Sequence, residues 1–126
     1  MGCIGIRPFA AGLLTDRRID RAKLAPDDRM QDPQWDRLYD QLAELRKALD
    51  EEPSSWTRFA IQFSLAHPLV ASTVVGINSP SQLQSVVSAA EDRYPDGDLL
   101  GRAHEVCLRF REEFGVKGNT AGVPIY

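Results

Sequence analysis

The chain has 126 residues, 43% hydrophobic and 26% charged, with a formal net charge of −3. That allows one domain with a real core. The acidic balance excludes the basic excess typical of nucleic-acid binders, and no apolar run nears the roughly 20 residues of a membrane helix. No basic segment leads into an apolar stretch, so no secretory signal is read. Cys3 and Cys107 show neither metal nor redox spacing. They are expected to be small core residues in a reducing, cytoplasmic setting.

In chain order, Gly2 to Arg7 alternates small and branched apolar residues and predicts a strand, stopped by Pro8. Myristoylation of Gly2 would need Ser or Thr at position 6, where Ile6 stands. Ala10 to Thr15 is a compact small-residue turn, tight enough for backbone to approach a ligand. From Asp16 to Gln31 the chain is charged, of mixed sign and aperiodic. It reads as a long solvated loop, a feature often functional.

Asp32 and Pro33 announce a helix by cap and first-turn proline. Trp35, Leu38, Tyr39, Leu42, Leu45 and Leu49 give it one apolar face, and Glu51-Glu52-Pro53 ends it. Ser54 or Ser55 caps a second helix with a stripe of Trp56, Phe59, Ala60, Phe63 and Ala66, stopped at His67-Pro68. Val70 to Val75 is a short β-branched run, as in a parallel strand covered on both faces. Gly76 breaks it, Ser79 caps and Pro80 opens a third helix bearing Leu83, Val86, Val87 and Ala90. A strand that feeds a helix N-terminus offers N–H groups to an anion. After the turn Tyr94 to Gly97, residues Leu99, Ala103, Val106, Cys107 and Phe110 predict a last helix with Gly115 as its stop, followed by an irregular tail.

The order strand, loop, helix, helix, strand, helix, helix is that of a parallel α/β sheet. Two such strands cannot bury both of their faces by themselves. The chain is therefore expected to be part of a larger assembly.

Chemistry-bearing patterns are few. His104-Glu105 begins like a zinc-protease helix, but Leu108 stands where the second histidine belongs. His67 lies at a helix end, where a cation would complement the macrodipole. No nucleophile elbow, Walker loop or dinucleotide-binding glycine loop is present. No catalytic residue and no metal site is assigned.

Two turns carry a resemblance. Gly5 to Thr15 (GIRPFAAGLLT) resembles the SPLxxGLLT segment of aldo-keto reductases, and Val74 to Leu83 (VVGINSPSQL) resembles their IxGxxSxEQLxEN segment. Between them, Phe59 to Pro68 looks like the ALxWxLxHP helix of the same family. The three occur in family order, and the resemblance is strongest over residues 2–90; residues 91–126 would be a C-terminal helix and tail.

The family fold is a (β/α)₈ barrel of about 250 residues. The resemblance implies that residues 1–126 are the C-terminal part of such a domain, a partial (β/α)₈ barrel with its last two parallel strands, their helices and a C-terminal helix. It implies an NAD(P)H-dependent carbonyl oxidoreductase whose catalytic Asp, Tyr, Lys and His come from earlier strands. The isolated chain is then expected to be inactive. By the same resemblance, Pro8, Phe9 and Gly12 lie along the cofactor pyrophosphate, with Arg17 as a basic residue against it. Gly76, Asn78 and Gln82 hold the adenosine end. Ser85 and Val86 replace the Glu-Asn pair that contacts adenine, and neutral Asn78 implies a slight lean towards NAD or no strong preference, leaving NAD versus NADP open. Beyond the cofactor, the expected partners are the missing barrel part or a second copy through the strand edges. The alternatives are a non-catalytic interaction protein and a truncated reading frame without activity.

Overall fold

The computed structural model describes residues 2–113. The expected Gly115 stop and the tail lie outside them. The elements are strand β1 (Cys3–Ile6), helix α1 (Asp36–Ala48), helix α2 (Trp56–Leu65), strand β2 (Val70–Val74), helix α3 (Pro80–Glu91) and helix α4 (Gly97–Glu113). Their order is the predicted one, and the architecture is α/β.

β1 and β2 pair in parallel, with Ile4 opposite Ser72, Gly5 opposite Thr73 and Ile6 opposite Val74. The register slips between Cys3 and Ile4. Gly5 and Thr73 face α2: the Ser64 and Thr73 hydroxyls lie 2.9 Å apart, and a Cβ on Gly5 would come within 2.8 Å of Ser64 Oγ. The missing side chain is what lets the strand approach the helix. Ile4 and Ile6, two residues apart, point the other way and are 66% and 71% exposed; Val74 is 58% exposed. The expected cover on both strand faces is thus absent, because among the described residues every helix that packs on the sheet lies on one side. Cys3 is exposed for the same lack of neighbours.

The core sits away from the sheet. Leu13, Ile19 and Met30 meet Tyr39, Leu42, Leu45 and Leu49 of α1, Trp56 and Phe59 of α2, and Leu99, Ala103 and Val106 of α4. Leu38, expected on the α1 face, is exposed at the edge of that contact. Cys107 is exposed too, lying off the Leu99, Ala103 and Val106 stripe by which α4 enters the core. In α3 the buried residue is Ala89, not Ala90, while Leu83 and Val87 are exposed. Small Ala89 permits close approach to α2, and the larger apolar residues fall on the uncovered side.

Helix starts follow the capping rules. Ser55 Oγ accepts from Arg58 N, and Ser79 Oγ from Gln82 N with Pro80 at the first position. Asp96 Oδ1 accepts from Leu99 N at the start of α4. Asp32 caps a 3₁₀ turn (Pro33–Trp35) that leads into α1. A further partner of α2 comes from far away in sequence. Asp16 accepts from Trp56 N (2.5 Å) and from Ser55 Oγ (2.7 Å), and Asp16 N donates to Thr57 Oγ1. Asp16→Ala is expected to cost about 1–2 kcal/mol, the usual worth of a helix cap. Chemical denaturation of the two proteins measures it.

Candidate functional site

Because β1 and β2 are parallel and Ile6 pairs with Val74, both strands end on the same side of the sheet. The two turns singled out by sequence, Pro8 to Gly12 and Gly76 to Gln82, therefore leave the sheet at one edge. This is the juxtaposition that defines the site.

The first turn is wound into left-handed backbone. Arg7, Ala10, Ala11 and Gly12 have φ of 55°, 46°, 60° and 94°. Its amides serve the turn itself: Ala10 N donates to Arg7 O, Gly12 N and Leu14 N to Phe9 O, and Leu13 N to Ala10 O. Thr15 Oγ1 closes onto Gly12 O at 2.7 Å. Pro8 and Phe9 are half-buried, whereas Arg17 is exposed.

Residues 16–31 below this turn are no plain solvated loop. Asp20 and Asp28 each accept from the N–H two residues on, starting 3₁₀ turns at Arg21–Lys23 and Arg29–Gln31. Arg21 donates to Gln31 O, Asp32 O and Asp36, and its guanidinium lies 5.0 Å over the Tyr39 ring. Burial pushes the Tyr39 hydroxyl above its usual pKa, and that hydroxyl donates to Arg18 O. The mixed charges thus fold the segment locally.

Asp28 is held below the ordinary carboxylate value of 3.8, first by the Met30 N–H that it accepts; burial opposes, and Arg18 adds to the lowering. A carboxylate depressed on folding stabilises above its unfolded pKa of about 3.9 and loses that contribution as pH falls through the folded value. Protection of the Met30 amide is therefore expected to be flat above about pH 4 and to fall below it. In Asp28→Asn that acid step should vanish, as hydrogen exchange against pH will show.

At the second turn, Gly76 and Asn78 are exposed, and nothing lies within 4 Å of a Cβ built on Gly76. Gln82 is bound into the helix start, its Oε1 accepting from Asn78 N at 2.7 Å. Pro80 has no N–H, Gln82 N goes to Ser79 Oγ and Leu83 N to Ser79 O. The first turn of α3 is therefore largely self-satisfied, with fewer free amides than an open anion site has. Ser85 Oγ is spent on Ser81 O.

Elsewhere, His67 is buried and its Nδ1 accepts from Leu69 N at 3.0 Å, so the ring shapes the α2–β2 turn. No three His, Cys, Asp or Glu residues gather into a metal-binding group among the described residues. A shallow apolar groove of about 190 Å³ lies between α2 and α4, lined by Phe63, Ala66, Leu100, Gly101 and His104. None of the candidate cofactor residues lines it. No described helix is long and apolar enough to cross a membrane.

The profile described as "Aldo/keto reductase family" matches residues 1–99, which include both turns and the helix between them. The chain belongs to the aldo/keto reductase family. A relative from Bacillus subtilis (strain 168), described as "Uncharacterized oxidoreductase YqkF", is 33% identical over 88 residues. That match covers 68% of this chain and 28% of the relative, so the chain spans little more than a quarter of that oxidoreductase's length. The residues that sequence reasoning missed are Arg18, Asp28 and Arg29, which surround the first turn. Their signal was an Asp two residues ahead of a buried apolar residue, Asp28 before Met30.

Proposed function

We propose that this chain supplies the part of an aldo-keto reductase that holds the phosphate and adenosine portions of NAD(P)H. In the complete barrel, hydride would pass between the nicotinamide and a carbonyl carbon. The observation that carries this reading is the parallel pairing of Ile6 with Val74, which brings both family turns to one edge of the sheet. Barrel ligands sit at that end of the strands.

Pro8, Phe9 and Gly12, with Arg17 beside them, serve the pyrophosphate; Gly76, Asn78 and Gln82 serve the adenosine. Open space around Gly76 supports this, since packing does not impose a glycine there and a ligand could approach its backbone. Asn78 offers a 2′-phosphate no charge-assisted bond, which favours NAD. The acid–base group and its partners would come from strands outside this chain, so the chain alone is inert. When bound, the cofactor supplies the hydride; the residues here only hold it.

A second reading, an interaction protein that completes a split barrel with another polypeptide, is favoured by the bare Ile4, Ile6 and Val74 face. The test titrates the chain with NADH and NADPH by cofactor fluorescence and assays aldehyde reduction. Saturable binding without turnover is expected, and Gly76→Val should weaken it about tenfold, a loss of roughly 1.4 kcal/mol. Turnover at enzymic rates, or no binding up to millimolar cofactor, would overturn the reading.

A further inference from the structure

We propose that Arg18 is the positioning residue of the Pro8 to Gly12 turn. Its guanidinium, anchored on Asp28, forms the floor that keeps the left-handed backbone in shape for the cofactor phosphates. The proposal rests on the reading that this turn meets NAD(P)H.

Left-handed backbone at alanine is unfavourable and persists only where the surroundings over-determine it. Here the surroundings are specific. A Cβ on Gly12 would stand 3.0 Å from Arg18 Nη1 and 3.8 Å from its Cδ, so the bare α-carbon rests directly on the arginine. On the far side, Arg18 Nη2 lies 3.5 Å from Asp28 Oδ2, whose side chain is only 7% exposed. Asp28 is in turn fixed by Met30 N, and Met30 is fully buried.

The Arg18 backbone is held as well. Its N–H donates to Thr15 O, and its carbonyl accepts from Tyr39 Oη at 2.9 Å. Thr15 closes back onto Gly12 O, and Arg29 donates to Ala11 O at 3.3 Å. The turn is therefore propped from beneath by Arg18 and tied from the side by Arg29.

An ion pair alone does not explain the placement. A charge-assisted N–H···O bond has its optimum near 2.7–2.9 Å, and this pair is longer. Arg18 Nε is buried and has no hydrogen-bond partner within the described residues. The guanidinium sits where contact with Gly12 puts it, at some loss to its own pairing.

The experiment uses the full isotope-labelled chain and its Arg18→Met and Arg18→Lys variants. It reads the backbone couplings and carbon shifts that report positive φ at Ala11, amide exchange at Gly12 and Leu14, and NADH affinity. Arg18→Met should average out the positive-φ signature and speed exchange at both amides at least tenfold. Ala103 and Val106 in α4 should keep their protection. NADH should bind about five- to tenfold more weakly, and Arg18→Lys should recover part of each effect.

Unchanged couplings and exchange in Arg18→Met would overturn the proposal. If that variant unfolds, α4 protection is lost with the rest, and Asp28→Asn is read instead. It removes the anchor, so the same loosening is expected, and an unaltered turn overturns the proposal. If the unsubstituted chain binds no dinucleotide, the functional reading fails, while couplings and exchange still decide the role of Arg18.

Discussion

Replacing Trp56 by alanine is expected to lower the unfolding free energy by about 3–5 kcal/mol, the usual range for a deleted core aromatic. Trp56 is 6% exposed and stands edge-on to Phe59, with ring centroids 6.0 Å apart and an interplanar angle of 79°. Phe59 continues the contact to Phe63 at the same spacing. The indole belongs to the cluster that joins Leu13 and Ile19 to α1 and α4. Its removal leaves a cavity where the N-terminal segment and three helices meet, a place with little freedom to collapse. Since whole domains are stable by only about 5–15 kcal/mol, the variant should melt early or not fold. Urea unfolding followed by the fluorescence of Trp35 measures the loss. A change under about 1 kcal/mol would show that the cluster does not hold the helices together.

Gln62→Leu should cost about 2–3 kcal/mol by a different mechanism. The Gln62 side chain is almost wholly buried, and its Nε2 donates to Ala89 O at 3.0 Å and Arg93 O at 3.1 Å. Ala89 O lies in the last turn of α3 and Arg93 O just beyond its C-cap, so one amide on α2 satisfies the close of a neighbouring helix. Leucine fills similar space but leaves both acceptors unpaired. Gln62→Glu sharpens the test. A carboxylate facing two carbonyls is repelled, so the folded state raises the glutamate pKa, and stability should return as pH falls and the acid protonates. A Gln62→Glu variant whose stability instead falls steadily on acidification would contradict this arrangement.

Much of this architecture was readable because local signals suffice for it. Ser55, Ser79 with Pro80, and Asp32 with Pro33 all mark helix or 3₁₀ starts, as their side-chain chemistry dictates. The 3.6-residue spacing placed Trp56, Phe59 and Ala60 in the core, but it could not show that α2 is covered on a second side. Gln62 and Ile61 are buried because α3 and the sheet pack there. Asp16 capping α2 was illegible for the same reason, since its partners lie about 40 residues away.

The turns of residues 16–31 carry no apolar period, although Asp20, Asp28 and Asp32 repeat one device: an aspartate accepting from the amide two residues on. A search for periodicity does not detect it. At the site, sequence brought out the two turns. That Gln82 folds onto Asn78 N and that Arg18 lies against Gly12 depend on three-dimensional placement that no local residue pattern encodes.

The parallel pairing of β1 with β2 also has a consequence in time. During synthesis, β1 emerges roughly 65 residues before its partner, a wait of about 3–13 s at ~5–20 residues per second. Through that interval Ile4 and Ile6 are without β2, while the capped turns and α1 can form behind them from nearby contacts alone. The short β1, with Gly2 just before it and Gly5 within, is poorly suited to pair early with a stray edge. The glycine that lets the strand dock on α2 at the end also keeps it unassertive at the beginning.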